Sequence, residues 1–171
     1  MKRIDKNMDQ LEEIDLSFIK LEYFRNKLRE YLQFIFNLDL KIRSILLFGS
    51  VATGKARIDE DHLSDIDIFI ISDEITIGLR KRSQWVVNLT RPVCSGIQAL
   101  WRTSKEIESY VDSKYYLILD AFDEGQIIYV PDNFLYELKE RLFKELEEKG
   151  VIKTELYWQW PINKFGDKID Y

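Results

Sequence analysis

Two aspartates one residue apart, Asp65 and Asp67, open the apolar run Ile66-Asp67-Ile68-Phe69-Ile70-Ile71, and Gly49-Ser50 closes the apolar run Ile45-Leu46-Leu47-Phe48 before it. Successive strand residues point to opposite faces, so both aspartates share one face, with about 6.6 Å between their Cα atoms. Two carboxylates that close repel one another, and burying even one unpaired carboxylate is costly. Either the pair sits at a solvated strand end, or cations neutralise it. Hard divalent ions such as Mg²⁺, or Mn²⁺, take oxygen ligands and bind through one or two carboxylates together with substrate phosphates. This is the donor set of phosphoryl-transfer sites with two metal ions. Gly49 lets backbone N–H groups approach a phosphate, and Ser50 adds a hydroxyl donor.

Each half of this pattern is weak alone. An Asp-x-Asp pair often marks nothing more than a solvated strand start, and a Gly-Ser pair says less still. The order strand, Gly-Ser, polar loop, Ser-Asp-Ile-Asp, apolar strand is far more specific. A second phosphate pattern overlaps it. Residues Gly49 to Ala56 fit the phosphate loop G-x-x-x-x-G-K-[ST] everywhere but the last position. Ala56 lacks the hydroxyl that would reach a metal ion, and no amphipathic helix follows Lys55, which argues against that loop.

The elements that must hold these residues follow from periodicity. Leu21, Phe24, Leu28, Leu32 and Ile35 recur at steps of three and four and predict a long helix over residues 9–37. Strands are predicted at 45–48, 65–71, 96–101 and 126–130, with residues 51–64 a loop holding at most a helical turn or two. The second strand is apolar on both faces, which puts it inside a sheet. Helices are expected over 77–88, ending before Arg91-Pro92, and from the capping box Thr103-Ser104-Lys105-Glu106 to about Val111. Two more are expected over 114–122 and from Pro131-Asp132-Asn133 to Gly150, the last with Leu135, Leu138, Leu142 and Leu146 on one face. The aromatic tail with Trp158 and Trp160 is expected to pack back on the domain. Strands alternating with helices give an α/β (α+β) fold, a small mixed sheet flanked by helices.

At 171 residues the chain suits one domain, 1–171: an N-terminal helix within 1–40, a core over 41–130, and a C-terminal helix and aromatic tail over 131–171. The net charge of −5 argues against a broad nucleic-acid surface. A single cysteine, Cys94, excludes an internal disulfide framework and suits a reducing interior, where it reads as a core thiol. The charged N-terminus is unlike a signal peptide and no apolar run is long enough to span a membrane, so a cytoplasmic location is expected. His62 is the one histidine, which disfavours histidine-cluster zinc sites and histidine-based triads and leaves it a surface loop residue. Trp158 and Trp160 suit core or dimer packing better than stacking on a base.

The segment LLFGSVATGKARIDEDHLSDIDIFI resembles the minimal nucleotidyltransferase family of the DNA polymerase β-like superfamily, and residues 115–160, ending in YWQW, are similar to the later part of archaeal members. The likeness covers residues 41–160, with its specific part in 45–70. It implies a nucleotidyltransferase-like mixed sheet and transfer of a nucleoside monophosphate, AMP above all, from an NTP such as ATP with Mg²⁺. By position, Gly49 and Ser50 would hold the triphosphate, Asp65 and Asp67 would be the catalytic metal ligands, and Lys55 and Arg57 could contact phosphate, although surface solubility explains two loop cations equally well. Fourteen residues separate Ser50 from Asp65, a few more than the family's usual spacing, and the surplus falls in the acidic DEDHL stretch. The family's third carboxylate is replaced by Gln98, whose amide cannot accept the proton of an attacking hydroxyl. Asp59, Glu60, Asp61 and Glu106 are the carboxylates that remain to fill that role. The alternative implied by Gln98 is a degenerate nucleotide-binding and partner-binding protein, an antitoxin-like companion of a HEPN-type toxin.

Overall fold

The computed structural model of the chain describes residues 11, 14–93 and 95–161. Its centre is the hairpin-like pair β1 (Ser44–Phe48) and β2 (Ile66–Ile71), two strands so apolar that they are buried almost throughout. β3 (Ile97–Arg102) joins β2 in parallel, and β4 (Gln126–Tyr129) joins β1 antiparallel, giving a four-stranded mixed sheet in the order β3-β2-β1-β4. Both faces are covered, as the apolar residues on both sides of β2 beyond Asp67 require.

Strand alternation sorts the core into two layers. Ile45 and Leu47 of β1, and Ile66, Ile68 and Ile70 of β2, face helix α1 (Glu22–Phe36) and Val86 of helix α3 (Leu79–Thr90). Leu46, Phe48, Phe69 and Ile71 face the other way. There they meet helices α4 (Ser104–Asp112), α5 (Tyr116–Glu124) and α6 (Phe134–Glu148). The predicted stripe Leu135, Leu138, Leu142 and Leu146 is the buried face of α6. Phe24, Leu28, Leu32 and Ile35 are the buried face of α1. Trp101 of β3 is fully buried, donates its indole N–H to Tyr31 of α1 at 3.3 Å, and takes Trp85 of α3 edge-on. Emptying such a position, as in Leu32→Ala, costs about 2–5 kcal/mol.

Element boundaries shift where local polar bonds compete with the helix. The single long helix expected over 9–37 is interrupted: Leu11 is helical, residues 14–20 are not, and the next helix begins only at Glu22, while residues before Leu11, with 12 and 13, lie outside the described residues. Asp15 accepts the Ser17 N–H at 2.7 Å and turns the chain, so Ile14, Leu16 and Ile19 reach the core from a non-helical segment. Leu21, expected on the buried stripe, is the N-cap and is exposed. The helix expected over 114–122 runs two residues later, because Lys114 adopts φ +51° and breaks the chain between α4 and α5. The capping box is present, with Glu106 N–H on Thr103 Oγ1 (3.3 Å) and Thr103 N–H on Glu106 Oε2 (2.9 Å).

The tail does pack back as far as it is described. β5 (Ile152–Lys153) and β6 (Trp158–Gln159) form a small antiparallel hairpin, and Trp158 and Trp160 lie against the α4–α6 layer. The Trp158 indole donates to Asp120 at 2.9 Å. Cys94 lies outside the described residues, so its reading as a core thiol falls there too. Among the described residues no helix is long and apolar enough to cross a membrane.

Candidate functional site

At the edge where β1 ends and β2 and β3 begin, the apolar side chains of the α4–α6 face give way to polar ones. The alternation that places Phe69 and Ile71 on that face places Asp67 on it as well, one step nearer the strand end. Asp65 stands just before β2, not in it as expected, and Asp67 pairs in register with Gln98 of β3 and with Phe48 of β1. A cavity of about 480 Å³ opens here, lined by Ser50, Lys55, Arg57, His62, Leu63, Ser64, Asp65, Asp67 and Gln98. Five sequence-predicted site residues therefore line one cavity, Ser50, Lys55, Arg57, Asp65 and Asp67, together with Gln98, where the resemblance implies a third carboxylate.

Gly49 supports the site from behind. It has φ +73°, and a Cβ built on it would lie 2.4 Å from Asp67 Oδ2. Only glycine lets the main chain turn so near the carboxylate. The turn feeds the one-turn helix α2 (Gly49–Ala52), whose first N–H groups have no acceptor within the helix. The loop then folds back on the serine, with Lys55 N–H and Ala56 N–H both donating to the Ser50 carbonyl at 2.9 Å. No helix follows Lys55, in keeping with the rejection of a phosphate-loop reading.

The surplus loop residues prove to be built, not slack. Arg57 and Ser64 exchange bonds, Ser64 N–H to Arg57 O at 3.1 Å and Arg57 N–H to Ser64 Oγ at 3.0 Å. Ile58 bridges to Leu63, and Asp59 N–H closes the tip on the His62 carbonyl at 2.9 Å. This miniature hairpin brings Arg57 and His62 to the cavity and directs Asp59, Glu60 and Asp61 away from its lining. His62, read as a surface loop residue, is indeed exposed but also lines the cavity, with Nε2 3.4 Å from Ser64 Oγ. Its sequence signal was the loop surplus itself, which places it three residues before Asp65.

Asp67 carries the electrostatic burden. Burial, and then the Asp65 charge, hold its carboxyl above the ordinary aspartate range. Among the described residues neither Asp65 nor Asp67 has a lysine or arginine within ion-pair distance. Gln98 donates its amide N–H to Asp65 Oδ2 at 2.7 Å. Glu106 is removed from contention for the third carboxylate, because Arg82 and the Thr103 N–H hold it at the start of α4. Among the described residues no three His, Cys, Asp or Glu side chains converge on one point. Trp158 and Trp160 do not line the cavity. The donor set consists of two carboxylates and a neutral amide, beside two cations on the loop. Two uncompensated carboxylate groups are suited to a hard divalent cation.

The family profile described as "Polymerase beta, Nucleotidyltransferase" matches residues 26–134, well over half the chain. The chain belongs to the polymerase beta nucleotidyltransferase family. The matched span of this nucleotidyltransferase domain runs from α1 to the first residue of α6 and contains the whole cavity lining. Among solved structures the chain is similar to one of a toxin–antitoxin with AMP-PNP, at 17% identity and TM-score 0.42, covering 72% of this chain and 86% of that one. It is also similar to one of a tri-AMPylated Shewanella oneidensis HEPN toxin in complex with MNT antitoxin, at 13% identity and TM-score 0.37, covering 74% and 83%. A search of curated proteins gave no match.

Proposed function

We propose that this nucleotidyltransferase domain binds an NTP in the Ser50–Asp67 cavity with Mg²⁺ and transfers its nucleoside monophosphate, AMP from ATP, to a hydroxyl acceptor. The observation that carries this reading is the couple Asp65–Asp67, with no cationic partner among the described residues, lining one cavity with Ser50, Lys55 and Arg57. Asp65 and Asp67 would hold the metal, which when bound supplies neutralisation of their charge and of the triphosphate's. Ser50 and the first N–H groups of α2 would donate to phosphate oxygens, with Gly49 permitting the approach. Lys55 and Arg57 add positive charge where the triphosphate would lie.

In the transfer, the acceptor oxygen bonds to the α-phosphorus, the bond from that phosphorus to the bridging oxygen breaks, and pyrophosphate leaves. The hydroxyl proton goes to solvent or to an aspartate oxygen, since the Gln98 amide is no base. Incubation with each α-labelled NTP and candidate hydroxyl acceptors tests the reading. Label transfer that disappears in Asp67→Asn supports it; failure of every nucleotide to bind or transfer would overturn it. Placement in the minimal, archaeal-type branch rests on the sequence resemblance of residues 45–70 and 115–160.

Gln98 favours a second reading. A site short of one carboxylate suits a protein that holds nucleotide and docks on a HEPN-type partner, as the sequence resemblance implies. Co-purification of a small helical protein, undisturbed by Asp65→Asn with Asp67→Asn, would favour it over catalysis.

A further inference from the structure

Gln98 does more than leave a carboxylate out. An ionised carboxylate only accepts hydrogen bonds, so the group that Gln98 turns to Asp65 Oδ2 at 2.7 Å must be its NH₂. The parallel register of β2 and β3 seats this amide directly beside Asp67. The positive end of a dipole therefore occupies one of the two Asp65 oxygens, at the position where a third carboxylate would add negative charge. Two divalent ions held about 3.5–4 Å apart would repel one another and would need more negative oxygen ligands around them than one ion does. With one acceptor site of Oδ2 engaged by NH₂, Asp65 keeps Oδ1 unobstructed and only part of Oδ2. An ion drawn to Oδ2 would meet the amide hydrogens.

From this geometry we infer that the cavity takes one divalent cation with its nucleotide, not two, and that Gln98 sets the number. The inference rests on the nucleotide-site reading above. It makes Gln98 a positioning residue: it orients Asp65 by a hydrogen bond and excludes a second ion. Among the described residues the other candidate carboxylates give no substitute, because Glu106 is bound to Arg82 and Asp59, Glu60 and Asp61 do not line the cavity.

The test is to dialyse the full chain against Mn²⁺ with AMP-PNP and to measure both bound manganese and bound nucleotide per chain. The electron paramagnetic resonance spectrum is recorded on the same sample. One manganese per nucleotide, with an uncoupled signal, is the expected result for the native chain. In Gln98→Glu the manganese content is expected to double and the signal to show coupled ions. Two coupled ions in the native chain would overturn the inference while leaving the nucleotide site standing. So would a folded Gln98→Glu chain, checked by thermal melting, that still holds one. If that variant fails to fold, the native count decides. A chain that retains no nucleotide at all overturns the nucleotide-site reading, and this inference with it.

Discussion

Beyond the last residue of β2, Asp73 accepts the Ser104 N–H and hydroxyl, each at 2.7 Å, and lies 3.6 Å from the Arg43 guanidinium. Arg43 also holds Asp132 at 2.7 Å and stacks over the Phe134 ring at 3.9 Å. At the opposite end of the same strand, Asp65 and Asp67 face a cavity with an amide for company. The pKa directions record the contrast. Burial raises Asp132, but the Arg43 bond, the Phe134 N–H and the Arg43 charge outweigh it and leave the carboxyl below its ordinary range. For Asp67, burial and the neighbouring charge push the same way, upward. One end uses its carboxylates to tie β1, α4 and α6 together. The other keeps its carboxylates in mutual repulsion, which a bound cation would relieve.

That difference can be tested from both sides. The largest expected effect is on chemistry: Asp67→Asn should lower nucleotidyl transfer by about 10²–10³-fold or more, measured with labelled NTP. The same substitution should raise the neutral-pH melting temperature by about 2 °C, since it removes a charge the fold disfavours. The sign follows from the raised folded pKa: the stability linked to protonated Asp67 is present at low pH and lost as pH rises through the folded value. A melting temperature that falls would break the comparison.

Gly49→Ala should come next. The methyl cannot share space with Asp67 Oδ2, and φ +73° is strained for alanine, so about 1–3 kcal/mol of stability should go in denaturant titration. AMP-PNP binding should weaken in the same variant.

At the opposite end, Arg43→Ala should cost about 1–2 kcal/mol by losing charge-assisted bonds and the stack on Phe134. Transfer activity per folded molecule should be unchanged. The smallest effect is the pH dependence of Asp132. Its depressed pKa gives stability that is present above the unfolded value and lost as pH falls through the folded one. Being substantially exposed, the pair is screened, so Asp132→Asn should flatten the acid limb of the melting curve by no more than about 1 kcal/mol.

Much of this was legible because local chemistry and the fold agree. The stripes of α1 and α6, the apolar runs of β1 and β2, and the Thr103–Glu106 box all express a period or a cap that survives into the structure. The first helix was misjudged in length because Asp15 offers the Ser17 N–H a partner that periodicity does not register. The acidic loop surplus was legible as length but not as shape. Its hairpin depends on two bonds between Arg57 and Ser64, one main-chain and one through the Ser64 hydroxyl, which composition does not encode.

The sequence alone determined which residue types stand at Ser50, Asp65, Asp67 and Gln98, and that they open or close buried strands, because side-chain alternation and apolar runs are properties of the local chain. Tertiary structure alone decided that Gln98 turns its NH₂ to Asp65, that Gly49 presses on Asp67, and that Glu106 belongs to Arg82. Each of those depends on which strand or helix lies beside which, a matter of packing between segments far apart in the chain.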